Sequence, residues 1–222
     1  MGIFEIIGPA MIGPSSSHTA GACRLGWVAG RLLAEPPRRA LFHLHGSFLA
    51  TGRGHGTQEA LLAGVLGVTP DDERIIEARD FAERSGLEYE FFPVDLGPQA
   101  HPNSVRIVLE GSTRQVETAG SSVGGGSIRI FEIDGLACEM SGVLEALVFW
   151  HQDEPGFLAR LTAVLSSVQV NLAGIRTSRE QRGARAITVV EVDGAIPTEI
   201  SGVFSRMPSI RRSVIIPPLP AS

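Results

Sequence analysis

The chain has 222 residues, enough for one large domain or two modest ones that each bury an apolar core. Apolar residues make up 43% of it and charged residues 19%, which is a globular balance rather than a disordered one. The formal net charge of -5 argues against a nucleic-acid partner, and no apolar run reaches the roughly 18 to 20 residues of a membrane span. The first residues lack the basic stretch and long apolar core of a signal peptide, so we expect a cytoplasmic protein.

The first region, residues 1–140, is predicted to contain helices and strands that are segregated along the chain. Helices are predicted from Thr19 onward, in GTQEALLAGVLG, and in DDERIIEARDFAERSG, which Gly86 ends. Strands are predicted in RALFHLHGSF, LEYEFFPV, SVRIVLEG, RQVETAG and SIRIFEIDG. Segregation of this kind favours an α+β fold over a doubly wound sheet.

The second region, residues 145–222, follows the order β-α-β-β-α-β. Its predicted strands are rich in β-branched residues and comprise EALVFWHQ, VNLAGIRTSRE, AITVVEVDG and IRRSVIIP. One helix is predicted in FLARLTAVLSSV, directly after the DEPG break, and another in PTEISGVFSRM, which Pro208 ends. This order predicts a ferredoxin-like domain.

Two residue counts limit the chemistry that this chain can supply. All 19 basic residues are arginine, so the chain can form neither a pyridoxal Schiff base nor a Walker P-loop, both of which need lysine. Cys23 and Cys138 are its only cysteines, whereas a 4Fe-4S cluster usually takes four thiolates. We therefore expect no metal site in this chain and a second chain that brings any reactive metal or cofactor.

The segment GPSSSHT, residues 13–19, places hydroxyl and backbone N–H groups at the start of a predicted helix. Such a site favours an anion, for example a carboxylate. The candidate residues are Ser15, Ser16, Ser17, His18 and Thr19. An ordinary N-cap is the alternative, and it needs only one of these side chains.

The segment HGSFLATGRGHGT, residues 45–57, is a glycine-rich loop that is flanked by histidines. Its glycines permit unusual backbone angles, but their spacing is not that of a Rossmann fingerprint. His55 and Thr57 are the better functional candidates because no apolar pattern holds them, whereas His43 alternates within a strand and is expected to be structural. A flexible turn with surface histidines is the alternative.

Two further polar segments are HPNS, residues 101–104, and SSVGGGSI, residues 121–128. Asn103 suits a turn, and Gly124 to Gly126 would let the backbone approach a ligand or a partner chain closely. A bulge or a hinge explains the glycines equally well.

Together, these four segments in this order resemble the β chain of bacterial iron–sulfur-dependent L-serine dehydratase (L-serine ammonia-lyase). The DEPG turn and the VNLAGI strand of the second region resemble an ACT domain. For the first region, the resemblance implies the fold of the allosteric substrate-binding domain of some D-3-phosphoglycerate dehydrogenases. The chain is thus expected to hold a serine dehydratase beta domain over 1–140 and an ACT regulatory domain over 145–222.

The resemblance implies a heteromer whose α chain carries a 4Fe-4S cluster with one open iron site. The iron acts as a Lewis acid on the hydroxyl of L-serine, a base removes the α-proton, and the product hydrolyses to pyruvate and ammonia. No pyridoxal phosphate is needed, and this chain alone is expected to be inactive. The resemblance also places the chain in amino-acid metabolism and gluconeogenesis.

The resemblance also assigns roles to residues. His18 and His55 are the candidate proton-transfer groups, although the base can equally come from the α chain. The expected substrate contacts are Ser15, Ser16, Ser17, Thr19, Thr57 and Asn103. The expected effector site, between paired ACT domains, comprises His151, Gln152, Asp153, Gly156 and Asn171. Two alternatives remain, namely an ACT domain that only dimerises and a non-catalytic amino-acid sensor.

Overall fold

A computed structural model describes residues 11–197 and 199–219 of the chain. The fold divides into two compact units, one within residues 1–135 and the other over Leu136–Leu219. Among the described residues, no helix combines the length and apolar character needed to cross a membrane.

The first unit contains four α-helices and three short helical turns among its described residues. The helices are α1 (Ala22–Leu33), α2 (Gly46–Ala50), α3 (Thr57–Val65) and α4 (Ala78–Arg84). The turns are π-helical over Ser16–Gly21 and 3-10 helical over Gly52–His55 and Glu73–Ile75.

Five strands of one sheet lie in the first unit, in the order β2-β1-β3-β4-β5. They are β1 (Arg39–Leu44), β2 (Glu88–Pro93), β3 (Ser104–Glu110), β4 (Gln115–Gly124) and β5 (Ser127–Ile133). β1 and β2 are parallel, and the other neighbours are antiparallel. Helix α1 lies against β3, β4 and β5, and the core includes Phe42, Ile107, Leu109, Leu25 and Val28.

The main chains of helices α1 and α3 lie in direct contact because glycines occupy the point where the helices cross. A Cβ atom on Gly64 would stand 2.0 Å from the carbonyl oxygen of Cys23, and one on Gly26 would stand 2.2 Å from that of Leu61. No larger residue fits at these positions without moving the helices apart. The crossing therefore fixes the π-helical turn at the start of α1 relative to α3, which it also contacts.

Three predictions for the first unit are wrong in detail. The strand predicted through Phe48 ends at Leu44, because Gly46 has a φ of +54° and turns the chain into α2. The single helix predicted over residues 71–86 is instead a 3-10 turn followed by α4. The reason is that the backbone N–H groups of Ile76 and Glu77 bond three residues back.

The third error concerns SSVG, residues 121–124, which is a strand rather than a loop. β4 continues through Gly124, and the positive φ angles of Gly125 and Gly126 make the hairpin turn into β5. The other predicted helices and strands of this unit are confirmed, and Gly86 ends α4 with a φ of +69°.

The second unit has the predicted ferredoxin-like order. It contains β7 (Glu145–Gln152), α5 (Phe157–Ser167), β8 (Asn171–Arg179), β9 (Arg185–Asp193), α6 (Ile200–Phe204) and β10 (Ile210–Ile216). The sheet order is β10-β7-β9-β8, and all its neighbours are antiparallel. Its core includes Leu147, Phe149, Leu161, Val190 and Phe204. The sequence did not predict strand β6 (Leu136–Met140), which precedes β7.

Candidate active site

The polar segments of the first unit converge on His18. Ser15 caps the π-helical turn by accepting a hydrogen bond from the backbone N–H of His18 at 3.2 Å. Ser16, Ser17 and His18 then follow on the turn, each half-buried. The turn lies against the Gly52–His55 turn, so the serine-rich and glycine-rich segments form one cluster.

The imidazole of His18 lies among hydroxyl groups. Its Nε2 atom lies 3.1 Å from Ser47 Oγ and 3.2 Å from Thr51 Oγ1, and its Nδ1 atom lies 3.4 Å from Ser15 Oγ. Burial is the main cause that lowers the pKa of His18, and the nearby charge of His55 lowers it further. His18 is therefore a neutral imidazole at neutral pH.

The direction of these bonds assigns the tautomer of His18. Thr51 donates its hydroxyl proton to the carbonyl oxygen of Ser47 at 3.0 Å, so its oxygen acts as an acceptor toward His18. The proton of His18 is accordingly assigned to Nε2, and Nδ1 faces Ser15 as an acceptor.

His55 has the opposite tautomer. Its Nδ1 atom lies 3.0 Å from the carbonyl oxygen of Thr51, which can only accept, so Nδ1 carries the proton and Nε2 keeps the basic lone pair. The rings of His18 and His55 are 4.9 Å apart. The site thus holds two imidazoles side by side, namely His55, which is half-buried and keeps its Nε2 lone pair, and His18, whose ring nitrogens face hydroxyl groups.

The HPNS segment supports this cluster through its backbone. The carbonyl oxygen of Pro102 accepts a hydrogen bond from the N–H of Ser47 at 2.7 Å, and a Cβ atom on Gly46 would stand 2.6 Å from that oxygen. Asn103 accepts a bond from the N–H of Ser122 through its carbonyl, and its side chain is half-buried. Ser104, which is fully buried, bonds to Ser121 at 2.8 Å.

The SSVGGGS segment lies close to the end of the π-helical turn and to the first residues of α1. A Cβ atom on Gly21 would stand 2.0 Å from Ser122 Oγ, and Arg24 donates to the carbonyl oxygen of Gly126 at 2.8 Å. The segment therefore holds the junction between the π-helical turn and α1.

Two predicted substrate contacts lie in the interior of the fold. Thr19 is 2% exposed and donates its hydroxyl proton to the carbonyl oxygen of His55 at 3.0 Å. Thr57 is fully buried and packs against Gly52. Thr19 thus bonds to the histidine loop, whereas the buried hydroxyl group of Thr57 has no hydrogen-bond partner among the residues that the structure describes.

The structure also places His151 in a core. Its Nδ1 atom donates to the carbonyl oxygen of Gln152 at 2.9 Å, and its Nε2 atom accepts from Thr188 Oγ1 at 2.9 Å. The ring stacks on Phe157, with 3.6 Å between the centroids. The expectation that His151 faces an effector does not agree with this placement, because both nitrogens are used within the fold.

The other residues expected at the first strand-to-helix turn lie at the surface. Asp153 accepts bonds from Arg179 Nη1 at 2.7 Å and from the N–H of Gly183 at 2.9 Å, and Gln152 bonds to Arg211. Gly156 is the N-cap of α5 and has a φ of +81°, a backbone conformation that favours glycine.

Asn171 lies at the opposite end of the same sheet. It pairs with Asp193 on β9, whereas His151 at the turn pairs with Ala186, seven residues along that strand. At the usual rise per residue this separation is about 23 Å. One chain therefore does not bring Asn171 to the turn.

Comparisons with known proteins identify a family for each region of the chain. The family model for the serine dehydratase beta chain matches residues 2–88, and the model for the ACT domain matches residues 146–200. The chain is 39% identical over 208 residues to the probable L-serine dehydratase, beta chain, of Bacillus subtilis, with 94% of each chain covered. It belongs to the L-serine dehydratase beta-chain family.

Two further relatives extend this result. The L-serine dehydratase, beta chain, of Peptoniphilus asaccharolyticus is 38% identical over 191 residues, with 86% of each chain covered. The D-3-phosphoglycerate dehydrogenase of Bacillus subtilis is 20% identical over 190 residues, which are 85% of this beta chain and 36% of that enzyme. The family and the ACT domain that the motifs predicted are thus confirmed.

The described residues of this beta chain do not fit an iron–sulfur cluster. Across residues 11–197 and 199–219, there is no group of three or more His, Cys, Asp or Glu residues that could hold a metal ion. Cys23 is buried, its Sγ lies 3.3 Å from the carbonyl oxygen of Val68, and burial raises its pKa to about 12. Its thiol therefore stays protonated, and thiolate is the form that binds metal.

Sequence reasoning missed Ser47 and Thr51, which contact His18 in this beta chain. A signal was available, because both lie within the glycine-rich segment and are four residues apart, which is one helical turn.

Proposed function

We propose that this chain is the β subunit of an L-serine dehydratase that converts L-serine to pyruvate and ammonia. L-serine loses its α-proton and its hydroxyl group as water, and hydrolysis of the resulting aminoacrylate releases ammonia. The observation that carries the proposal is the paired imidazole cluster of His18 and His55, found in a chain that matches a beta chain of this activity over 94% of its length.

His55 is the proposed base. Its Nδ1–H is fixed on the carbonyl oxygen of Thr51, so its Nε2 lone pair is positioned to take the α-proton of the substrate. His18 stays neutral beside it, because its pKa is lowered, and a neutral neighbour does not repel the imidazolium that forms on His55.

The carboxylate of L-serine is proposed to bind at the serine-rich turn. Ser15, Ser16 and Ser17 stand immediately before or beside His18 and present hydroxyl and backbone N–H groups. A carboxylate bound there would have its α-carbon near the two imidazoles. Asn103 remains a proposed contact at the edge of the same cluster.

The cofactor belongs to the proposed α chain. A 4Fe-4S cluster held by that chain would supply the Lewis acid for departure of the hydroxyl group. The beta chain would then bind and orient L-serine and accept its proton, in the cytoplasm, and the pyruvate would be available for gluconeogenesis. The names of both beta-chain relatives support a second chain.

The second unit is proposed to be a regulatory ACT domain that associates with a second copy of itself. β8 is an edge strand of the sheet and is largely exposed, with Ile175 45% exposed, which suits pairing between copies. Within one chain, Asn171 lies about 23 Å from the turn that contains Gly156. Pairing between two copies is therefore needed if Asn171 and this turn bind the same amino-acid effector.

The test is a pyruvate assay on L-serine after anaerobic co-expression with the cluster-bearing chain encoded beside this one. We expect His55→Ala to lower kcat/KM by about 100-fold or more in complexes that still assemble. His43→Ala is the matched control, because His43 stacks on Phe92 in the sheet and lies outside the cluster. Unchanged turnover in His55→Ala, or turnover by the isolated chain, would overturn the proposal; serine binding without any turnover would favour an amino-acid sensor.

A further inference from the structure

Thr51 contacts both histidines of the cluster, through two different groups. Its hydroxyl oxygen lies 3.2 Å from Nε2 of His18, and its carbonyl oxygen lies 3.0 Å from Nδ1 of His55. It is the C-cap of α2, so the end of one short helix contacts both imidazoles.

Ser47 stands one helical turn earlier and completes the contact. Its hydroxyl oxygen lies 3.1 Å from Nε2 of His18 and 3.1 Å from Thr51 Oγ1. Because Thr51 donates its own proton to the carbonyl oxygen of Ser47, the two hydroxyl oxygens together accept the single Nε2–H of His18.

The hydroxyl groups of Ser47 and Thr51, called the hydroxyl pair below, are held in position by a backbone contact outside the cluster. The N–H of Ser47 donates to Pro102, and the positive φ of Gly46 allows that contact. The pair is thus anchored to the start of β3 by the backbone, and an imidazole that bonds to it is held at a fixed angle.

We propose that Ser47 and Thr51 are positioning residues that hold His18 in one tautomer and one orientation against His55. The effect on catalysis rests on the proposed function, whereas the effect on His18 itself does not. His55 is the titratable group that acts on the charge of His18 in the described part of the chain. Changes in the hydroxyl pair should therefore be visible in the titration of His18.

The experiment uses the full chain labelled with 15N-histidine and followed by NMR between pH 4 and pH 8. A His18→Asn chain identifies the signals of His18. The variants are Thr51→Val, Ser47→Ala and Thr51→Ser, of which the last keeps the hydroxyl. Thr162→Val is the matched control, because Thr162 makes the same bond to a carbonyl four residues earlier in α5, in the other unit.

In the wild-type chain, the signals of neutral His18 should show a proton on Nε2. The titration midpoint of His18 should move to lower pH in Thr51→Val and Ser47→Ala, because the imidazolium loses an acceptor. It should stay in place in Thr51→Ser and Thr162→Val. In the assembled dehydratase, Thr51→Val should lower kcat/KM about tenfold and shift the acidic limb of its pH profile, and Thr51→Ser should restore both.

An unchanged midpoint and an unchanged Nε2 signal in both Thr51→Val and Ser47→Ala would overturn the inference. So would failure of Thr51→Ser to restore the wild-type titration. If the assembled protein forms pyruvate without any dependence on His55, the proposed function fails, and the NMR result still decides whether the hydroxyl pair positions His18.

Discussion

Replacement of Gly64 by alanine tests whether backbone contact between α1 and α3 holds the site together. In an open helix this change would stabilise the protein by about 1 kcal/mol, because alanine is the better helix former. Here the new Cβ atom would stand 2.0 Å from the carbonyl oxygen of Cys23 and 2.8 Å from the backbone nitrogen of Trp27. Both atoms belong to the main chain and cannot rotate away.

The free-energy cost of Gly64→Ala follows from how much too close the added Cβ atom stands to the main chain of α1. Cβ atoms essentially never come within 3.0 Å of another heavy atom, so the helices must separate by about 1 Å. Overpacking of this kind costs about 1–3 kcal/mol, and a clash with backbone belongs at the upper end. After the gain in helix propensity, we expect Gly64→Ala to lower the free energy of unfolding by about 2 kcal/mol, or Tm by about 4–8 °C.

Urea unfolding followed by circular dichroism measures this change. Gly202→Ala in α6 is the control, since nothing lies within 4 Å of the added Cβ atom, and it should be neutral or slightly stabilising. Separation of the helices also moves the π-helical turn away from His55, so activity of the assembled protein should fall. Equal stabilisation by Gly64→Ala and Gly202→Ala would refute the close contact.

Two further predictions concern buried titratable groups. Since burial raises the pKa of Cys23 to about 12, only about one thiol in ten thousand is ionised at pH 8. A Cys138→Ala chain should therefore react with Ellman's reagent only after unfolding in guanidinium, and rapid reaction of the native chain would contradict this. Burial lowers the pKa of His151 below 6.5, so the native chain binds fewer protons there than the unfolded one. The stability that neutral His151 contributes is complete above pH 6.5 and is lost as the pH falls through its lowered pKa. Unfolding midpoints between pH 7.5 and pH 5 should depend less on pH in His151→Gln, and an equal slope would show that His151 is not the group responsible.

The sequence predicts the second unit well because its signals are local. β7 has the predicted bounds, and α5 begins at Phe157, directly after a break that contains Pro155 and Gly156. The run of β-branched residues in β9 is a local signal of the same kind. β6 was missed because its five residues follow Gly135 without a pattern long enough to separate them from β5.

The cluster around His18 could be predicted only in part, because its contacts join distant segments. The serine-rich and glycine-rich segments were predicted to be functional, but the partners of His18 lie 29 and 33 residues away along the chain. Ser47 and Thr51 are one helical turn apart, but nothing in the sequence relates them to His18, and only the fold of α2 brings their hydroxyl groups to its imidazole.

His151 shows the opposite case, since its placement could have been predicted. Side chains alternate between the two faces of a strand, so His151 shares the face of Leu147 and Phe149, which lie in the core. The interpretation as an effector contact came from the resemblance to ACT domains and set aside this alternation.

The separation of Asn171 from the turn at Gly156 has a genetic consequence. If an effector site takes Asn171 from one copy and the turn from another, each pair of chains forms two such sites. A chain with Asn171→Ala and a chain with a damaged turn would each form no intact site alone. Mixed together, they would form pairs in which one site is wholly wild-type, so two alleles that each lack effector binding would together restore it.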